Sequence, residues 1–525
     1  MKKYQRALAL LLALLLLAFT VMACGNKETP ADTTDTTEPI GPQSTDKEDV
    51  ELTGEAAEVA AEKGFGLADI PEISNKEPIN VMVEASGSGD TIVSFIEKFA
   101  EKTGVEVTYE MIVMTSAYSK ELNELQAGTG AYDLVMVETS WTNEWKDYLI
   151  DIGTAAEEYD PKGKAGLEAD LENYDSGLLR CATTTDGVLM GLPYYSYPLF
   201  QYIRQDVFED ETEKAAFKEK YGYDLAPATT WDQIHDQGEF FTRKKGDTLK
   251  GEVLDHDIYG LAMMAGQFPH VQDEMAARIW GMGGHFATPV RDASGEITEF
   301  VFTKEDQEIM LQACKDYVED MKYSPPGTEN AFWDFAGSQF AAGNAIIMPD
   351  QYNGLWTWMV TDLAANVPGA TVVAAPVPGM QPYTGGFFMG ISKDSANIEA
   401  SYWLARYIAS YEAQYEMPLS GGWPVTRFDV VESAQANPDV DEATYHEAFG
   451  YGEAQIETAE YQTPYINDYL HFNSDAAGKL YDEMTTVFHE NAVGVHTPEE
   501  TVKIWGEKLV DVQNTYGSVP ASVEE

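Results

Sequence analysis

Residues 191–202 read GLPYYSYPLFQY, with four tyrosines, one phenylalanine and two prolines in twelve positions. Buried strands are ordinarily filled by Val and Ile, and a phenol that leaves water needs a hydrogen-bond partner. The stretch therefore offers ring faces and hydroxyls together at Tyr194, Tyr195 and Tyr197. Ordinary interior packing competes with a binding role for each of them, since Tyr and Trp are highly buried on average.

Other constellations fail on spacing. SGSGDT (86–91) suggests a dinucleotide loop, but Ile92 stands where the third glycine of G-x-G-x-x-G belongs. In HENAVGVH (489–496) the second histidine comes seven residues after the first rather than four, so one helical face cannot present both to zinc. NPDVDEAT (437–444) alternates oxygen ligands like a calcium loop, yet Glu442 replaces the required Gly and Ala448 the bidentate Glu. There is no G-x-S-x-G and no Walker loop. With 88 acidic residues, a carboxylate pair for glycoside hydrolysis has no legible signature. No cofactor and no metal is expected.

The chain has 525 residues, 44% of them hydrophobic, which is enough for two lobes with sizeable cores. Its net charge of −55 repels nucleic acid and anionic membrane surfaces and disfavours polyanionic ligands. Lys2, Lys3 and Arg6 precede an apolar run from Ala7 to Ala23, which reads as an export signal. Ala23 stands directly before Cys24 in VMACG, which resembles the lipobox of bacterial lipoproteins. Cleavage would leave Cys24 as a lipidated N-terminus on the outer face of the cell membrane. Residues 24–77, rich in Thr, Asp, Glu and Pro, read as an acidic tether, with a short helix at 51–63 left open. Cys181 and Cys314 are open between a disulfide and two buried thiols.

From Ile79 onward strands alternate with helices, which argues for α/β layers. Strands are expected at 79–84, 105–113, 133–138, 345–349, 371–376 and 386–392. A helix after SGSGD places Ile92, Ile96 and Phe99 on one face, and another runs through 121–126. Thr-capped helices begin near Thr230, Thr303 and Thr497, the last two with Asp306 and Glu500 completing capping boxes.

Several phrases in this order resemble the extracellular solute-binding proteins of bacterial ABC importers, in the carbohydrate-binding group that includes maltose-binding proteins. They are AGTGAYDLVMVE (127–138), GLPY followed by YIRQDVF (191–194, 202–208), TTWDQI (229–234), FAAGNAIIM (340–348), APVPG (375–379) and GGFFMGISKDSANIEASYWLARYI (385–408). The resemblance covers about Ile79 to the C-terminus. It implies a two-lobed, periplasmic-binding-protein-like α/β fold of type II, with an interlobe cleft and hinge strands. Lobe one would hold residues 78–195 with about 386–435, and lobe two about 196–385 with about 436–525.

On that template GLPYYSYPLFQY crosses between lobes, and its tyrosines line the cleft near a hinge at Pro193–Tyr202. Tyr197 falls on a ligand-contacting position of the crossing strand. Tyr352 falls where maltose-binding relatives carry a stacking tryptophan, a departure that leaves a smaller platform. Ser86, Ser88 and Asp90 fall in the first strand-to-helix loop, Thr139, Ser140 and Trp141 after the third strand, and Gly385, Gly386 and Trp423 in later cleft loops. Asp350 could accept ligand hydroxyls. A sugar suits such a site because aromatic planes cover its C–H faces while carboxylates and amides take its hydroxyls.

The resemblance thus implies a monomeric, non-enzymatic receptor for a neutral mono- or oligosaccharide or polyol, handed to importer permease subunits. Two other classes stand beside it: a surface-anchored glycosidase or lyase, and a scaffold or adhesin with an empty cleft. Within the binding class, peptide, polyamine and sugar-phosphate solutes remain alternatives. Replacing Tyr352 by Ala is expected to remove ligand stabilisation while sparing the unliganded melting temperature.

Overall fold

The computed structural model describes residues 65–525 apart from residues 422 and 438. The leader, Cys24, the tether up to residue 64 and the helix at 51–63 lie outside the described residues.

Strand β1 (Ile79–Glu84) buries Val81, Met82 and Val83. Helix α1 (Gly87–Thr103) follows at once, because the Ser86 hydroxyl accepts from the Gly89 N–H. It packs Ile92, Phe95, Ile96 and Phe99 inward and stops at Gly104, whose φ of 68° suits a residue without a Cβ. Strand β2 (Val107–Ile112) pairs parallel with β1. Helix α2 (Met114–Ala127) begins well before Glu121, where the apolar pattern placed it; buried Ala117 is the inward residue of its polar first turns. Strand β3 (Leu134–Glu138) is buried throughout, and β4 (Gly191–Ser196) carries the first half of the tyrosine stretch.

At Tyr197 and Pro198 the chain leaves this sheet and begins another with β5 (Leu199–Arg204). Helix α3 (Trp231–Phe241) is capped by Thr230, β6 (Tyr259–Leu261) follows, and α4 (His270–Gly281) is buried along most of its length. Helix α5 (Lys304–Asp320) starts with the Thr303–Asp306 capping box. Strand β7 (Ala345–Tyr352) runs past the expected end at Pro349, and β8 (Val372–Pro376) completes the second sheet. Residues 377–385 cross back, and β9 (Gly386–Ile391) inserts antiparallel between β3 and β4. Helices α6 (Ala477–Ala492) and α7 (Pro498–Tyr516), the latter with the Thr497–Glu500 box, pack on α4 and α5.

The two sheets have orders β2-β1-β3-β9-β4 and β8-β5-β7-β6. Each anchors its own apolar cluster, the first containing Val81, Phe95, Val137 and Trp403, the second Tyr202, Trp231, Phe340 and Ile347. The fold is therefore two-lobed α/β, with chain crossings between the sheets.

Residues 65–77, read from sequence as the end of the tether, belong to the folded body. Phe65 stacks on Trp403 with centroids 5.5 Å apart, Ile70 and Ile73 are buried, and the Ser74 and Asn75 N–H groups donate to Glu399. Three large apolar residues in a polar stretch are enough to dock it. Cys181 and Cys314 are both buried free thiols. Among the described residues no helix is long and apolar enough to cross a membrane, and no group of three metal-ligating side chains converges.

Candidate functional site

The two crossings meet where the Tyr197 N–H donates to the Gly385 carbonyl at 2.9 Å, and the end of β7 joins them through the Asn353 N–H, which donates to the Pro198 carbonyl at 3.0 Å. Gly385 is required there, since a Cβ would lie 1.8 Å from the Tyr197 ring. The ring thus sits flat over the returning strand.

Glu138, the last residue of β3, holds this corner. Its Oε1 accepts from the Tyr197 hydroxyl at 2.7 Å, the Tyr383 hydroxyl at 3.1 Å and the Thr139 hydroxyl at 3.1 Å. Its Oε2 accepts from the Ser140 N–H at 2.8 Å and from the Ser140 hydroxyl. Burial raises the Glu138 carboxyl above its ordinary range, against the pull of the Ser140 and Tyr197 hydroxyls.

Across the cleft, Asp273 on α4 plays the same part for the second lobe. Its Oδ2 accepts from the Tyr352 hydroxyl, and its Oδ1 accepts from the Tyr481 hydroxyl at 2.8 Å and from the Gln272 amide. Burial pushes it well above the carboxylate range, with the Tyr352 and Tyr481 hydroxyls opposing. The Tyr197 and Tyr352 rings then meet edge-on, with centroids 5.6 Å apart at 77°. Behind Tyr352 stands His270, ring centroids 4.9 Å apart, kept neutral by burial that lowers it to about 3. Tyr195 stacks on Phe387 at 5.9 Å and meets Trp423 at 6.3 Å. Among the described residues no lysine or arginine forms an ion pair with Glu138 or Asp273.

The structure brings Tyr195, Tyr197, Tyr352, Trp423, Gly385, Thr139 and Ser140 to one place. Gly386 adjoins them, its Cβ position 2.8 Å from the Tyr195 carbonyl. Ser86 and Ser88 bond to each other at 2.7 Å and to Glu84, whose charge reaches Tyr195. The rest lie elsewhere. Tyr194 is buried in the first lobe's cluster, at the bulge where Tyr195 pairs with Phe387 and Pro193 with Phe388. Trp141 packs on Trp145 at 4.8 Å and Tyr118 at 5.2 Å. Asp90 is exposed on the first turn of α1. Asp350, expected to face ligand hydroxyls, is buried on β7, and neither of its carboxyl oxygens has a hydrogen-bond partner among the described residues.

Sequence reading missed Glu138, Asp273, His270, Tyr383 and Tyr481. Glu138 had one usable signal, an acid closing an otherwise apolar buried strand. Asp273, in HVQDEM, had none, since acids pervade this chain. A surface groove between Phe302, Val502, Val510 and Val523 lies far from these residues in the chain, and its charged rim is exposed.

Comparison with known proteins places this cleft in context. Residues 85–415 match the family model described as bacterial extracellular solute-binding protein. Among solved structures, maltose-bound MalE3 of T. maritima superposes with a TM-score of 0.60 at 20% identity, covering 82% of this chain and 99% of that one. A solute-binding protein of Agrobacterium radiobacter K84 in complex with ribitol gives 0.64 at 17% identity, covering 85% and 100%. The transporter-associated binding protein of B. animalis subsp. lactis Bl-04 with beta-1,6-galactobiose gives 0.57 at 17%, covering 86% and 100%.

Proposed function

The chain belongs to the bacterial extracellular solute-binding protein family, and on that premise we propose that it captures a neutral carbohydrate or polyol between its lobes and delivers it to the permease subunits of an ABC importer. The observation that carries the reading is the pairing of Glu138–Tyr197 with Tyr352–Asp273, which sets hydroxyl-accepting carboxylates beside aromatic rings from both lobes. Rings cover C–H faces and acidic oxygens take hydroxyls, while no lysine or arginine among the described residues pairs with either acid to receive an anionic solute. Maltose, ribitol and beta-1,6-galactobiose in proteins of the same fold support that ligand class.

In this reading lobe one spans 78–195 with about 386–435, lobe two about 196–385 with about 436–525, and they close on a hinge at the crossings. Lipid on Cys24 holds the protein on the outer face of the cytoplasmic membrane, and the solute leaves chemically unchanged. The test is a thermal-shift panel with mass spectrometry of copurifying small molecules. A ligand at about a hundred times its dissociation constant stabilises the folded state by roughly 2.7 kcal/mol. Neutral sugars or polyols should give such a shift without turnover. A response to peptides, polyamines or sugar phosphates alone would overturn the carbohydrate reading.

A further inference from the structure

Tyr352 begins a row of rings along the second lobe that the cleft itself does not use. His270 meets it edge-on with centroids 4.9 Å apart, and His270 in turn meets Phe332 at 4.1 Å. From Phe332 the row divides, to Phe268 at 4.7 Å and to Trp333 at 5.5 Å, and Trp358 follows Trp333 at 6.3 Å. Exposure rises along it from 7% at Tyr352 to 38% at Phe268, with Phe332, Trp333 and Trp358 half-buried. Rings in such a series suit a chain of sugar rings, which offers an apolar C–H face at each unit.

Backbone contacts hold the row in place. The loops that carry Phe268 and Phe332 are joined where the Gly266 N–H donates to the Ala331 carbonyl at 2.9 Å, and a Cβ on Gly266 would lie 2.6 Å from that oxygen. The helix Trp333–Ala341 receives the Trp358 indole in the same way, since a Cβ on Gly337 would lie 2.7 Å from the ring. The Trp358 Nε1–H donates to Asp362 at 2.7 Å, which fixes the indole from its other end. Charge then selects the occupant. The sequence has no lysine or arginine between Lys250 and Arg278 or between Lys322 and Lys393, so the segments bearing the rings supply no cation for an anionic polymer. They do supply exposed Glu329 and Asp362 as acceptors for hydroxyls. The exposed aliphatic residues Val253, Val290, Val493 and Val495 stand on other segments, so the rings are not part of a broader apolar face of the kind a protein partner would cover.

We propose that Phe332, Phe268, Trp333 and Trp358 form an outer binding surface for a neutral oligosaccharide whose first unit lies in the cleft at Tyr352. The solute is then a chain of several sugar units rather than a monosaccharide or a polyol. This inference rests on the carbohydrate reading above and narrows it. Tyr352 is a smaller platform than tryptophan, and the rings beyond it add the area over which a longer chain is held.

The experiment titrates the full chain by calorimetry with glucose, maltose, maltotetraose and maltohexaose, with cellobiose, cellotetraose and cellohexaose, and with ribitol and mannitol. In the series that binds, the dissociation constant should fall about tenfold or more from the disaccharide to the hexasaccharide. Phe268→Ser combined with Trp333→Ala should remove most of that gain, weakening the hexasaccharide far more than the disaccharide. Trp333→Phe, which keeps a ring, should retain part of it. Ligand-free melting temperatures show that each variant is folded, and Phe268→Ser alone, at an exposed position, still tests the surface if the double variant is not. A dissociation constant independent of chain length, or a gain unchanged in the variants, overturns the inference and leaves the carbohydrate reading standing. So does binding of ribitol, mannitol or glucose with no response to any longer chain. Variants that keep the gain but lose solute uptake by cells would give the surface to a protein partner and overturn the inference as well. If none of the probes binds, the carbohydrate reading falls and the inference falls with it.

Discussion

The hydroxyl of Tyr197 is bonded to Glu138 in the first lobe while its ring meets that of Tyr352, whose own hydroxyl is bonded to Asp273 in the second. The lobes are thus joined across the cleft by an acid, two phenols and a second acid. Tyr352 is 7% exposed and packed in the second lobe's cluster, which argues that its removal would weaken the ligand-free protein as well. Tyr352→Ala should cost about 3–5 kcal/mol, as large aromatic truncations do. Tyr352→Phe should cost about 1–3 kcal/mol, because it leaves Asp273 one donor short. Denaturant melts of the two variants give the comparison, and equal losses would show that the hydroxyl carries all of the effect.

Gly385→Ala should displace the Tyr197 ring, since the new methyl would fall on it. Overpacking of this kind costs about 1–3 kcal/mol. The variant should melt lower and lose its ligand response, and Gly385→Ala combined with Tyr197→Ala should regain part of the stability lost.

Acid stability should depend on Asp170. Burial alone would raise its carboxyl, but Arg427 and Arg406, at 2.9 and 2.6 Å, outweigh it and hold the group below its ordinary value. A depressed folded value means that the stabilisation is full above the unfolded carboxylate value of about 3.9 and is lost as pH falls through the folded one. Asp170→Asn should cost about 3–5 kcal/mol at neutral pH, because buried Arg406 loses its carboxylate partner and Arg427 keeps only Asp429. Its acid-unfolding curve should also lose slope below about pH 4.

Asn143 links the lobes away from the tyrosines. Its amide donates to the Phe472 carbonyl at 2.9 Å and accepts from the Thr185 N–H at 2.9 Å. Asn143→Ala should favour the open arrangement, seen as a larger radius of gyration by small-angle scattering without ligand, and should raise the dissociation constant. An unchanged radius would place the closure energy in the tyrosine pair.

Cys24→Ala should release the protein from cells or block its processing, as judged by fractionation and by mass spectrometry of the N-terminus. Wild-type protein found with residues 1–23 attached would remove the lipid anchor from the proposed function.

The crossing and its tyrosines were legible because they break a rule: aromatics and prolines where a core strand would carry Val and Ile. The capped helices were legible for a local reason, since Thr303–Asp306 and Thr497–Glu500 bond within one turn. Tyr194 was misplaced beside Tyr195 because a run of like residues does not reveal which members the strand turns inward. The Glu138 and Asp273 anchors depend on contacts between distant segments, and in a chain this acidic nothing marks two carboxylates among many. Asp350 was expected to accept ligand hydroxyls because the strand was expected to end at Pro349; β7 continues past it and carries Asp350 into the interior.

The order of strands in the first sheet also sets the order of assembly. Its inner strand β9 comes from chain that follows the whole of the second sheet, so β3 and β4 have no partner between them while the first lobe is being made. Contacts of such sequence separation form late and slowly. A polypeptide emerging from its N-terminus therefore cannot complete one half of itself before the other exists.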